Sequence, residues 1–343
     1  MKARIYMGDF MGKFVTFCKN NTSFLTKEAV QQYKGICAIV IMLYHLGWSL
    51  DFQYYRPFSH GDYVTGLFYF FSGYGLFKKF NEDRTYHIGF IRKRVFPIAF
   101  MFLLMCTVYW LFYYLEGFCY TPLGIIKDFC LYGNSFVKYS WFIISIIYFY
   151  IVFYLLMRLF KQNHVAIVIG TFVLTIFYVA MVLALGWGMH WYTTSIFFFL
   201  GLLFVYREEK WMKYLLKYFC LCFGFLLCCL LFSNYARTDL FLAGKKHILF
   251  TILANFSFVF LFILCSLKIR IRIPFLAKIG NLSLEIYLVH GLVILIMNKI
   301  GIRDYLVLAY AFVVFITLIL AIVLSKIRSI FFNKKKDSYL KVK

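Results

Sequence analysis

A lysine and a histidine stand eleven residues apart in the first long apolar run of this chain, Lys34-GICAIVIMLY-His45. On a helix, eleven residues make about 1100°, three turns plus roughly 20°, so both basic groups share a face, about 16 Å apart. The run stays apolar beyond His45, which sets the imidazole inside a membrane-length segment. An ionisable group at that depth is costly and marks a functional position. A neutral imidazole can serve as general base or relay nucleophile, and Lys34 can hold an anionic group at the mouth of the segment. Lys34 alone would equally suit a snorkelling anchor, and His45 alone a buried histidine hydrogen-bonded across helices or one at the far interface.

Four further apolar segments carry candidate groups. The run GLFYFFSGYGLF sets Ser72 among Gly66, Gly73 and Gly75, small residues that fit either close helix packing or a cavity wall. Trp141 opens another run, as an interfacial residue or a cavity wall. A late run, GNLSLEIYLVHG, holds Glu285, Tyr287 and His290. Glu285 and His290 are five residues apart, about 140° around a helix, and so make no simple dyad. Glu285 fits an ion pair near a helix end, and His290 a bond between helices. Asp62, at a segment start, would pair with a histidine or be solvated. Arg92, Lys93 and Arg94 precede Pro97, an acceptable residue near a helix start.

The elements that position these groups are membrane helices. Of 343 residues, 63% are hydrophobic, in continuous and not alternating runs. That excludes a soluble domain of this length and an outer-membrane barrel, and predicts an all-α polytopic membrane protein. Ten spans are expected: 34–50, 62–77, 95–115, 139–157, 165–187, 190–206, 214–232, 246–267, 279–298 and 305–325. Residues 1–33 read as a cytosolic N-terminal arm, 34–325 as the transmembrane domain, and 326–343 as a basic cytosolic tail.

The net charge of +23 suggests nucleic-acid binding until it is mapped. With the N-terminus in the cytosol, 29 of the 37 Lys and Arg residues fall on cytosolic segments. Membrane orientation therefore accounts for the charge, and nucleic acid is not an expected partner. Most of the ten cysteines lie in apolar spans and act as small hydrophobes. Cys119 and Cys130 share an outer loop, 116–138, as a disulfide or as two free thiols. No cysteine pair has zinc-site spacing, and no metal is expected.

Taken in order, these features resemble the acyltransferase-3 family of integral-membrane acyltransferases. The family's basic residue, ten-residue gap and histidine match Lys34 and His45. Its aromatic second-helix run matches Phe70, Phe71, Ser72, Gly73 and Tyr74. A basic stretch before proline matches Arg92, Lys93, Arg94 and Pro97, although one of the family's two arginines falls here on Ile91. A Trp-Phe start matches Trp141 and Phe142, and the late run matches Ser283, Tyr287, Leu288 and His290. The matches extend from residue 34 to about 325.

The resemblance implies about ten helices in a bacterial plasma membrane, without a fused hydrolase-like domain. It implies transfer of an acyl group, usually acetyl, from cytosolic acyl-CoA to a hydroxyl of an extracytoplasmic glycan or lipid-linked sugar. His45 and Lys34 would then be catalytic, and Arg92, Lys93 and Arg94 would bind the CoA phosphates. Ser72, Trp141, Glu285, Tyr287 and His290 would line the substrate path. Acetyl-CoA is a donor substrate and not a resident cofactor. Membrane lipids, and a second copy in a homodimer, are the other compatible partners. The alternative reading is a transporter or exporter of polysaccharide intermediates, which would move solute without consuming acyl-CoA.

Overall fold

The computed structural model describes residues 25–50, 61–83, 85–237, 245–269 and 271–333. Most of the expected N-terminal arm (1–24) and the end of the expected basic tail (334–343) lie outside the described residues. The described residues are helical, with no strand among them. In chain order the helices are α1 (Lys27–Ser49), α2 (Gly61–Glu82), α3 (Phe96–Leu115), α4 (Pro122–Tyr132), α5 (Trp141–Phe160), α6 (His164–Ala184), α7 (Ile196–Tyr206), α8 (Glu208–Lys217), α9 (Phe219–Ala236), α10 (Lys245–Ser266), α11 (Pro274–Asn281), α12 (Ser283–Lys299) and α13 (Leu306–Asn333).

Seven helical segments are long and apolar enough to cross a membrane, and the bent pair α11–α12 makes an eighth. The chain is thus an all-α, multi-pass membrane protein. The first two expected spans are also helices, of 23 and 22 residues, each about 33 Å long. They need not be uniformly apolar because they lie inside the bundle. Most of α2 is buried, and its Tyr69, Phe70, Phe71 and Phe77 are 0–1% exposed. Lipid-facing apolar side chains belong instead to helices such as α3, α6, α9 and α13, with Leu103, Phe177, Leu221 and Phe315 exposed.

Close approach of backbones holds the centre together, as expected where lipid removes the hydrophobic drive between helices. A side chain at Gly73 of α2 would strike the Phe198 carbonyl of α7, and one at Gly201 of α7 would strike the Phe70 carbonyl. The glycines beside Ser72 therefore serve α2–α7 packing. The same device seats α11 on α1: Gly35 meets the Leu276 carbonyl, and Gly280 meets the Gln31 carbonyl. The side-chain oxygen of Gln32 accepts the Ile273 backbone N–H at 2.9 Å and fixes the chain entering α11.

Helix ends differ from the expected spans where local chemistry intervenes. α1 starts at Lys27, with Thr26 as N-cap accepting from the Ala29 amide and Glu28 in the first turn. The span expected over 214–232 starts at Phe219, because the charged, amphipathic stretch before it forms α8 separately. The span over 279–298 is bent by 71° at the α11–α12 break. The loop 116–138, expected to lie outside, contains α4, capped by Thr121 and ended by Gly133 in a left-handed conformation. Cys119 and Cys130 are both free and exposed.

Candidate active site

His45 sits one turn before the end of α1, in the row Tyr33, Cys37, Ile41, His45 that α1 turns inward. Its Nδ1 lies 2.7 Å from Nε2 of His290 on α12. The other ring nitrogen of His290, Nδ1, lies 3.0 Å from the Ile286 carbonyl. A carbonyl only accepts, so His290 carries its proton on Nδ1 and Nε2 is an acceptor. His45 then donates from Nδ1, and its Nε2 holds a free lone pair. One backbone carbonyl thereby sets the tautomers of two imidazoles.

Tyr139 covers this pair. Its ring stacks on His45 with centroids 3.9 Å apart and planes 6° apart. Tyr139 has φ +67°, a left-handed conformation that costs a non-glycine residue of order 1–3 kcal/mol. Its segment is pinned on both sides. Ser140 Oγ donates to the Val137 carbonyl at 2.7 Å, and Trp191 Nε1 donates to the Gly133 carbonyl at 3.2 Å. Gly291, next to His290, lets the Lys138 carbonyl and the Tyr109 hydroxyl approach α12; a Cβ there would stand 2.8 and 2.7 Å from them.

His45 opens onto a cavity of about 370 Å³ at this end of the bundle. The volume is within the range of small-molecule sites. Tyr44, Trp48, Tyr139, Trp141 and Tyr287 supply aromatic walls, and Lys138, Asp62, His190, Asn134, Thr193 and Thr194 supply polar groups. Asp62 pairs with Arg237 at 3.4 Å, and Arg237 also donates to the Tyr63 hydroxyl, which in turn donates to Asn234. Asp62 thus has an arginine partner and not a histidine. Burial pushes the Lys138 ammonium below its ordinary pKa.

The remaining sequence candidates lie elsewhere. Lys34 does not line the cavity; Cys37, Ala38 and Ile41, buried in α1, separate it from His45. Arg94 is near enough to Lys34 for their positive charges to interact. Arg92, Lys93 and Arg94 occupy a π-helical turn, Ile91–Val95, whose extra residue widens the helix just where the arginine spacing departs from the family pattern. Arg94 donates to the Tyr86 hydroxyl at 3.0 Å, while Arg92 and Lys93 are exposed. Ser72 is buried in α2 and does not line the cavity. Glu285 does not line it either: fully buried, it pairs with Arg328 of α13 at 3.0 Å, towards the opposite end. Tyr287, Trp141 and His290 are at the His45 end, the first two lining the cavity.

Sequence reading did not single out Lys138, Tyr139, His190 or Thr194. A left-handed tyrosine has no local signature, and a lysine before a span resembles any flanking charge. Among the described residues, no cluster of three or more His, Cys, Asp or Glu is placed to hold a metal ion.

These features define a multi-pass membrane protein with a tautomer-fixed imidazole pair beside an aromatic, polar cavity. The profile of the acyltransferase-3 family, described as an acyltransferase domain, matches residues 28–326, and the chain belongs to that family. No curated protein and no solved structure matches it. It is a membrane acyltransferase.

Proposed function

We propose that this enzyme moves an acetyl group from cytosolic acetyl-CoA to a hydroxyl of an extracytoplasmic glycan or lipid-linked sugar, in a bacterial plasma membrane. The observation that carries this reading is the Ile286–His290–His45 chain, which leaves Nε2 of His45 as a proton acceptor beside the cavity. An alcohol is a weak nucleophile and needs such a base. His45 takes the hydroxyl proton as the oxygen attacks the thioester carbonyl carbon. The new C–O bond forms, the C–S bond breaks, and the proton passes to the departing sulfur. The products are an ester and the CoA thiol.

The basic end of the bundle suits the donor. Lys34 and Arg94 lie together there, with Arg92 and Lys93 exposed beside them. Cationic side chains at that place favour the phosphates of CoA. Tyr287 and Trp141 would guide the acceptor, and His290 would hold His45 in its reactive tautomer. The charge distribution supports this orientation, with most Lys and Arg on the donor side.

The test is His45→Ala in membrane vesicles, with CoA thiol release and ester formation on surface glycan both measured. Loss of a general base is expected to lower the rate roughly 100-fold or more at normal protein levels. Undiminished ester formation would remove His45 from the mechanism. Solute flux without thiol release would instead favour the transporter reading.

A further inference from the structure

Among the described residues, the cavity beside His45 carries a positive charge with no counter-charge. Asp62, the one carboxylate among the described residues that line it, is already paired with Arg237. Among the described residues, Lys138 belongs to no ion pair, and its ammonium instead lies 5.2 Å above the Tyr139 ring. Its other charged or titratable neighbours, His45 and His290, are the imidazoles of the pair. The backbone of Lys138 is held against α12 at Gly291, so this cation is placed by the fold and does not drift on a loose loop. A second observation concerns the same wall. The Thr194 hydroxyl, on a residue 1% exposed, lines the cavity and has no hydrogen-bond partner among the described residues.

We propose that this cavity is built for a saccharide bearing a carboxylate or phosphate, with Lys138 as the residue that selects the anionic group. The inference rests on the acyl-transfer reading for its biological meaning, since the acidic sugar would be the acceptor. The aromatic walls accept the apolar face of a sugar ring, the Thr194 hydroxyl offers a further polar contact, and Lys138 supplies the charge. Binding of the anion returns to Lys138 the counter-charge that burial withholds.

The test uses the full chain in detergent or nanodiscs and three matched probes: methyl glucoside, methyl glucuronide and methyl glucoside 6-phosphate. Affinity is read from the tryptophan fluorescence of Trp48 and Trp141, both in the cavity wall. At least one anionic probe is expected to bind roughly tenfold tighter than the neutral one, as a charge-assisted hydrogen bond allows. Lys138→Gln should abolish the preference of anionic over neutral probe, and Lys138→Arg should retain it. The tighter of the two anions identifies the group. Equal affinity for all three probes, binding of none, or a preference that survives Lys138→Gln would overturn the proposal. Thiol release from acetyl-CoA is scored separately. Anion preference without release removes the catalytic reading alone, and release without anion preference removes this inference alone.

Discussion

His290 touches His45 and not the cavity wall, so its expected role is to position. Replacing it with alanine leaves the buried Nδ1–H of His45 without an acceptor, a loss of about 1–3 kcal/mol. The His45 ring would then be free to take its other tautomer, with the proton on Nε2 and the base gone. His290→Ala is therefore expected to lower the rate of thiol release roughly 10- to 100-fold while the KM for acyl-CoA stays put. His290→Gln, which can accept through its amide oxygen, should recover part of the rate. Equal loss in both variants would mean that the ring matters for something other than accepting this bond. His45 was legible from the chain alone, as a single ionisable group in an apolar run. Its partner was not. Periodicity within one helix separates Glu285 from His290 by angle, but cannot say which neighbour either one faces, and His290 meets a residue 245 positions away. The same limit hid the partner of Glu285 on α13.

At the scale of elements, the contact between α1 and α11 deserves a direct measurement, because it sets the height of both α1 and the α11–α12 bend. A Cβ on Gly280 would meet the Gln31 carbonyl, which is backbone and cannot swing aside. Gly280→Ala is expected to cost about 1–3 kcal/mol, as overpacking does, and to lower the thermal midpoint of the detergent-solubilised protein. Gly75→Ala is the control, since open space surrounds that position on α2. It should be neutral or slightly stabilising, because alanine is the better helix former. Equal midpoints for the two variants would refute tight packing at Gly280. Helix positions followed from the apolar runs, since a bilayer allows few other structures. The short amphipathic helices α4 and α8 and the break at Leu282 did not, because their residues merge with neighbouring apolar sequence.

For the whole molecule, the basic residues give a direction. Cys119 and Cys130 are free and exposed at the end that carries the His45 cavity, away from Arg92, Lys93 and Arg94. A membrane-impermeant maleimide added to intact cells is expected to label the protein, and the Cys119→Ser, Cys130→Ser double variant should lose that label. Labelling only after the cells are opened would reverse the orientation and put the cavity in the cytosol. The two ends are tied by different contacts. Lys299 and Glu116 join α12 to the end of α3 at the His45 end, whereas Lys78 and Glu208 join α2 to α8 at 2.8 Å at the opposite end. Lys299 is exposed while Glu116, Lys78 and Glu208 are half-buried, so these pairs tie helix ends near the bundle surface, and most of the buried area lies in the packing through the centre.

The 2.7 Å bond between His45 and His290 also sets a capacity. Two imidazoles so close, enclosed by Tyr139 and the walls of α1 and α12, can share one added proton but not two, because adjacent like charges repel strongly away from water. The pair is a single-occupancy store. Once it holds the proton taken from one acceptor, it cannot serve another until that proton has left on the departing group. Turnover is thereby metered one proton at a time, and an acceptor that arrives before the first leaving group has gone finds no base.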